Sequence, residues 1–199
     1  MTSILKADTI QDTDGNNIIN ENSNTITIGA SGDTTNIVGT LQNNGSAVGG
    51  TNTPAFEAYT TGAQSVTSGT FTKLTFATEV FDTDNDYDNS SNYRFTPQVA
   101  GKYFFYAKMT TDPSSYENEK NSDIKFYKNG SAVSYTLSNT MTGGNTDSDG
   151  STATTHVINA TIDLNGSSDY VEVYGKLTTW SGSGATIKQK QFGGYKIIE

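Results

Sequence analysis

From Ala55 onward, apolar and polar positions alternate in short runs, each closed by turn residues. Tyr103, Phe105, Ala107 and Met109 alternate with Phe104, Tyr106 and Lys108 in KYFFYAKM. Ile158, Ala160, Ile162 and Leu164 line one side of HVINATIDL. Leu74 and Phe76 in TKLTF, Ile124 and Phe126 in DIKFYK, and Val171 and Val173 in YVEVYG repeat the two-residue period. That period sends alternate side chains to opposite faces of a strand. Asn129-Gly130 predicts a two-residue hairpin, because both turn positions require positive φ. Asn165-Gly166 predicts a second tight turn. No window of useful length shows helical spacing. Eight or more short strands at this pitch predict an antiparallel sandwich or barrel.

Residues 1–52 follow a different pattern. They contain no Phe, Tyr or Trp, so this stretch lacks the large apolar side chains of a globular core. Ile10, Ile19, Ile28 and Ile37 are spaced nine apart. Nine extended residues reach at most roughly 30 Å, too short for one chain to wind around its own core. The spacing therefore predicts a thin β-structured stem in which three chains each supply one wall of a layer, with the isoleucines on the axis. Asn43 to Thr53, NNGSAVGGTNT, reads as a flexible joint. The expected organisation is an attachment segment at 1–25, a stem and joint at 26–53, and a head at 54–199.

Charge narrows the partners. The 199 residues carry 21 acidic and 12 basic side chains, a net charge of −9. No basic patch is visible to displace counterions, which argues against nucleic acid and against an anionic membrane surface. The absence of cysteine excludes disulfides, thiolate nucleophiles and Cys-ligated zinc. His156 is the sole histidine, so a two-His metal site within one chain is excluded as well. The opening MTSILKADTIQD has no long apolar run, which predicts neither a signal peptide nor membrane insertion, and folding in the cytoplasm of the producing cell.

The most conspicuous candidate for chemistry is FDTDNDYDNSSNYRF, with Asp82, Asp84, Asp86 and Asp88 at every second position. A helix-loop-helix calcium loop needs Gly at its sixth and Glu at its twelfth position. Counting from Asp82 finds Tyr87 and Tyr93 there, and counting from Asp84 finds Asn89 and Phe95. The stretch reads instead as a solvated connection whose Asp, Asn and Ser side chains bond their own backbone. An irregular calcium site shared between subunits is the alternative, and TDSDG at 146–150 is a second acidic loop. Ser122-Asp123-Ile124-Lys125 matches S-x-x-K but enters a strand, where residues three apart face opposite sides. His156 is expected at the surface or at a strand end. GASGDTT at 29–35 lacks the lysine of a phosphate loop. No catalytic, cofactor-binding or metal-ligating residue is assigned, and the expected protein is not an enzyme.

Three motifs carry a resemblance. Ala55-Phe56-Glu57-Ala58, then Tyr93-Arg94-Phe95-Thr96-Pro97 with Ala100-Gly101-Lys102-Tyr103-Phe104-Phe105, then Phe192-Gly193-Gly194-Tyr195-Lys196-Ile197-Ile198 stand in order along the chain. They resemble the first, middle and last strand signatures of the C1q-like and tumour-necrosis-factor-like jelly roll, with Asn92-Tyr93 where that family usually has Thr-Gly. The resemblance implies an all-β antiparallel jelly-roll head at 54–199 and a homotrimer packed through aromatic faces. Phe56, Tyr103, Phe105, Tyr174, Phe192 and Tyr195 become candidate core or trimer aromatics. Gly194 would stand where a side chain collides with a neighbouring strand or subunit, and Gly101 would permit a tight turn before the aromatic strand.

Residues 4–41, ILKADTIQDTDGNNIINE and TITIGASGDTTNIVGTL, resemble amino-terminal and stem segments of tailed-phage virion proteins, especially those of cyanobacterial and marine phages. That resemblance implies a virion appendage on the particle surface, attached to other virion proteins through residues 1–41, decorating a capsid or forming part of a tail fibre. Two alternatives stand beside it. One is a receptor- or glycan-binding tip, with Tyr116, Asn118, Trp180 and the loop Ser138–Ser151 contacting a host surface glycan. The other is a polysaccharide depolymerase.

Overall fold

A computed structural model describes residues 9–11, 13–15, 17–22, 25–29, 31–43, 46–47, 52–111, 119–141, 153–180, 182 and 185–197. The chain divides into two units, Met1–Gly50 and Thr51–Glu199. No helix occurs among the described residues.

In the first unit, β1 (Thr9–Gln11), β2 (Asn17–Asn22) and β3 (Thr25–Ile28) form an antiparallel meander. β4 (Gln42–Asn43) and β5 (Ser46–Ala47) make a separate short hairpin. The nine-residue isoleucine period acquires a concrete meaning here. Ile10 pairs with Ile19 and Ile19 with Ile28, so the period equals one strand plus its turn and stacks the isoleucines in a cross-strand row. Ile37 belongs to no strand. This single chain does not show the expected three-chain stem. It does leave the row uncovered, with Ile10 and Ile19 each 38% exposed and Ile28 57%.

The second unit begins with β6 (Ala55–Thr60), β7 (Gln64–Ser65), β8 (Thr72–Lys73) and β9 (Thr78–Asp82). It continues through β10 (Tyr87–Asp88), β11 (Arg94–Phe95), β12 (Ala100–Thr111) and β13 (Glu119–Lys128). β14 (Ser131–Met141), β15 (Thr155–Asn165), β16 (Val171–Thr179) and β17 (Thr186–Lys196) complete it. One sheet runs β15-β12-β17-β6-β9, with β7 on β17. The other runs β10-β11-β16-β13-β14, with β8 on β16. All pairings are antiparallel, and the long strands from β12 to β17 switch repeatedly between the sheets. That winding, with the first long strand β6 beside the last strand β17, is an antiparallel jelly roll.

The alternation read from the sequence sets which face is inside. β15 alternates exposed and buried residues along its whole length. Phe56 lies at the centre of the core, stacked on Phe95 at 4.4 Å and on Tyr87 at 4.8 Å, and edge-on to Phe192 at 4.8 Å. Leu74 and Phe76 are fully buried, but only Thr72–Lys73 of that stretch is a strand. Their burial comes from an irregular segment crossing the core edge, where Thr75 N–H donates to Gln64 Oε1. Asn129-Gly130 forms the predicted hairpin, with φ of 51° and 75°. After Asn165, only Gly166 has positive φ, and Asn165 Oδ1 accepts from the amides of Ser167, Ser168 and Asp169. That connection crosses between sheets and is not a hairpin. Gly101 lies inside β12, not in a turn before it, with φ 148° and Lys196 Cε 2.7 Å from where its Cβ would be.

One core position goes against type. Lys190, 2% exposed, points inward beside Met109, and its Nζ donates to Gly62 O at 3.1 Å. Burial pulls its pKa down to about 8. The folded state therefore binds the lysine proton less readily than the unfolded chain does. Its cost is full below about pH 8 and is relieved as pH rises toward the ordinary 10.5. Lys190→Met is expected to raise stability at pH 7 by up to about 3 kcal/mol, the equivalent of that displacement. Urea titrations at pH 7 and pH 10 check it, the gain shrinking at the higher pH.

Candidate functional site

The acidic stretch resolves into a turn that uses its own carboxylates. Asp82 Oδ2 accepts from Tyr87 N at 2.7 Å, and Asp84 Oδ2 accepts from Thr83 Oγ1 at 2.5 Å. Asp86, largely buried, accepts from Gln98 N at 3.3 Å. Asp88 accepts from the amides of Ser90, Ser91 and Asn92 and from Asn92 Nδ2. The Ser91 and Ser90 amides, then Asn92, hold the Asp88 carboxyl well below the usual range. Asp86 is pushed up by burial, with Asp82 and Asp84 adding to it against the Gln98 amide. Asp84, Asp86 and Asp88 line an open cleft of 710 Å³ together with Asn92, Arg94 and Gln98. No group of three or more metal-ligating side chains is arranged to hold an ion among the described residues.

His156 stands at the beginning of β15, the strand-end place expected for it, but not at the surface. It is buried, and it closes a polar network between the two sheets. Its Nε2 lies 2.5 Å from Ser122 Oγ, and its Nδ1 lies 3.2 Å from Ser138 Oγ. Ser122 Oγ also bonds Glu119 Oε1, and Glu119 Oε2 accepts from Thr111 Oγ1 at 2.6 Å. Because Ser122 must donate to the carboxylate, His156 Nε2–H donates to Ser122 and Nδ1 accepts from Ser138. A neutral imidazole thus satisfies every group. This is not a nucleophile triad, since the carboxylate holds the serine and the histidine gives it a proton. The sequence hid the site because Glu119, Ser122, Ser138 and His156 come from three strands, and nothing in their spacing announces it. Lys125 lies over the Phe71 ring on the opposite side of β13 from Ser122, as the S-x-x-K reading required.

The surfaces are more suggestive than any cleft. On the exposed face of the first sheet, Phe104 packs against Tyr195 at 5.6 Å. Tyr106 donates to Glu57 Oε2 at 2.5 Å. A Cβ on Gly193 would lie 2.4 Å from the Tyr106 ring, so that glycine makes room for the ring to cross it. Burial, then Glu57, raises the Tyr106 phenol far above its ordinary value. Phe81 and Tyr59 extend this face. On the other sheet, Tyr127 stacks on Tyr174 at 3.9 Å. At the edge where β14 and β15 meet, Tyr135, Leu137 and Val157 are 68%, 50% and 61% exposed.

Of the candidate aromatics, Phe56, Tyr103, Phe105 and Phe192 are fully buried in the core, so Tyr103 and Phe105 are not available to another subunit. Burial pushes the Tyr103 phenol up to about 12. Tyr174 and Tyr195 lie half-buried on outer faces. Trp180 is half-exposed, with Lys120 Nζ 4.9 Å from its ring centre. Tyr116, Asn118 and residues 142–151 of the loop Ser138–Ser151, including the acidic TDSDG, lie outside the described residues.

Comparison with known proteins finds no matching family model and no matching curated protein. Solved structures similar to this chain include the globular domain of zebrafish complement 1qA protein, at 16% identity and a TM-score of 0.44. That match covers 73% of this chain and 98% of the other. Murine APRIL, in a crystal structure at pH 8.5, is similar at 10% identity and a TM-score of 0.45, covering 72% and 98%. Neither likeness assigns a family or a function; the jelly roll itself is read from the strand order of the chain.

Proposed function

We propose that this chain is a homotrimeric virion appendage: the jelly-roll head projects outward, and residues 1–41 attach it to the particle. The observation that carries self-association is the pairing of two dissimilar apolar surfaces on one head. Tyr135, Leu137 and Val157 form an exposed edge stripe, and Phe81 and Tyr59, beside the half-buried Phe104, Tyr106 and Tyr195, form a broad face on the first sheet. Exposed apolar surface of this kind marks an interaction site. Edge against face is a heterologous contact, which closes into a ring when the rotation permits. The head motifs supply three as the ring size, and the uncovered isoleucine row gives residues 9–28 a reason to associate with other copies. The virion role rests on the wording of residues 4–41. Such a protein works mechanically and by adhesion, decorating a capsid or tail, and three weak head contacts on one axis gain avidity without new chemistry.

Sedimentation of the full chain is expected to give three times 21.2 kDa. Leu137→Asp with Val157→Asp is expected to yield folded monomers, since both side chains are exposed within one chain. A wild-type monomer would sink the trimer. Deleting residues 1–41 is expected to leave soluble heads that no longer attach to particles; continued decoration would remove the anchoring assignment.

The half-exposed Trp180 beside Lys120 favours a second reading, a glycan-binding tip, because an aromatic face and a cation suit an acidic sugar. Loss of glycan-array binding on Trp180→Ala would select it over decoration alone.

A further inference from the structure

Lys176, Asp123 and Asn139 stand side by side on three neighbouring strands, β16, β13 and β14. Asp123 is the register partner of both others. It is 3% exposed, and its two carboxylate oxygens are divided between its neighbours. Asn139 Nδ2 donates to Oδ1, and Lys176 Nζ lies against Oδ2. Oδ2 is buried, and the Lys176 ammonium lies directly against it. Outside them lies the Phe71 ring, 5.0 Å from Lys176 Nζ. One buried carboxylate therefore holds a partly covered amine and an exposed carboxamide side by side. A buried ion pair is by itself weak evidence of stabilisation.

We propose that Lys176 and Asn139 join through an intramolecular amide bond, with Asp123 as the proton carrier. Within the Lys176–Asp123 pair, one proton passes from Nζ to the carboxylate, giving a neutral amine and a carboxylic acid with no net change in charge. The amine attacks Asn139 Cγ, and the acid protonates the departing nitrogen while taking up the second amine proton. The Nζ–Cγ bond forms, the Cγ–Nδ2 bond breaks, and ammonia leaves, carrying the remaining proton as ammonium. No oxidant, metal or cofactor is needed. Holding the reacting groups on one carboxylate supplies the proximity that such a reaction lacks in solution. The bond would tie β14, an edge strand, across β13 to β16, in a head that has no cysteine with which to make a covalent tie.

Intact mass spectrometry of the full chain under denaturing conditions tests it, with Lys176→Arg as the reference, since that variant keeps the positive charge and cannot acylate. The wild type is expected to be lighter by one ammonia, after allowance for the substitution, and its digest to contain one branched peptide joining Asn139 to Lys176. Asp123→Ala is expected to restore the unbranched peptides. A wild type at full mass overturns the proposal. So does ammonia loss that maps to an Asn-Gly pair such as Asn129-Gly130, or water loss joining Lys176 to Asp123 itself.

Discussion

Gly194→Val is expected to prevent the head from folding at 37 °C, at a cost of more than about 3 kcal/mol, the upper end of ordinary overpacking. A Cβ at this position would lie 2.5 Å from Phe105 Cδ1 and 2.9 Å from the carbonyl oxygen of Phe104. The ring cannot retreat, because Phe105 is fully buried and packs against Phe56, Phe95, Phe126 and Phe192. Nor can the carbonyl, which belongs to β12, the strand next to β17. β17 would have to leave the sheet, taking its pairing with β6 as well. Circular dichroism and soluble yield check the result. A soluble Gly194→Val head with wild-type melting would show that the two central strands are more pliable than this packing allows. Gly193 provides the contrast: its added Cβ would meet chiefly the Tyr106 ring, which can swing outward after giving up Glu57. Gly193→Ala is therefore expected to cost less and to alter the exposed face more.

Glu119→Ala is expected to be comparably harmful, at about 3 kcal/mol, the loss of two hydrogen bonds to a charged group at about 1.5 kcal/mol each. Thr111 and Ser122 would both lose their acceptor in a fully buried place. The same network fixes an acid sensitivity. Burial pulls the His156 pKa below its ordinary 6.5, with Glu119 and then Asp123 opposing. The folded head thus binds the imidazole proton less readily than the unfolded chain, and stability is full above about pH 6.5 and falls as pH drops through that value. Protonation would also place a donor on Nδ1, facing the Ser138 hydroxyl that now donates to it. Glu119→Gln removes the main opposing charge, lowers the His156 pKa further and steepens the loss toward pH 5. His156→Gln removes it. Melting temperatures of the three proteins from pH 7.5 to pH 5 decide the matter; equal slopes in wild type and His156→Gln would clear His156 of any part.

The long strands, the side of each that faces inward and the Asn129-Gly130 turn were legible in the residues, because a two-residue period and a positive-φ turn are local properties of the chain; the same period in TKLTF belongs mostly to an irregular segment. Gly194 was legible too, through its place in a closing-strand motif, as was the self-bonding of the Asp82–Asp88 turn, since Asp and Ser bond their own backbone at short range, but not the burial of Asp86 and Tyr87 within it. The nine-residue isoleucine period was visible, but not the way antiparallel folding turns it into a row within one chain. Tertiary structure alone decided that Tyr103 and Phe105 belong to the core, that Lys190 is sealed beside Met109, and that Glu119, Ser122, Ser138 and His156 form one network. It also brought Lys176, Asp123 and Asn139 together. Each of these depends on which strands become neighbours and in which register, and strand pairing joins residues whose separation along the chain carries no signal of their contact.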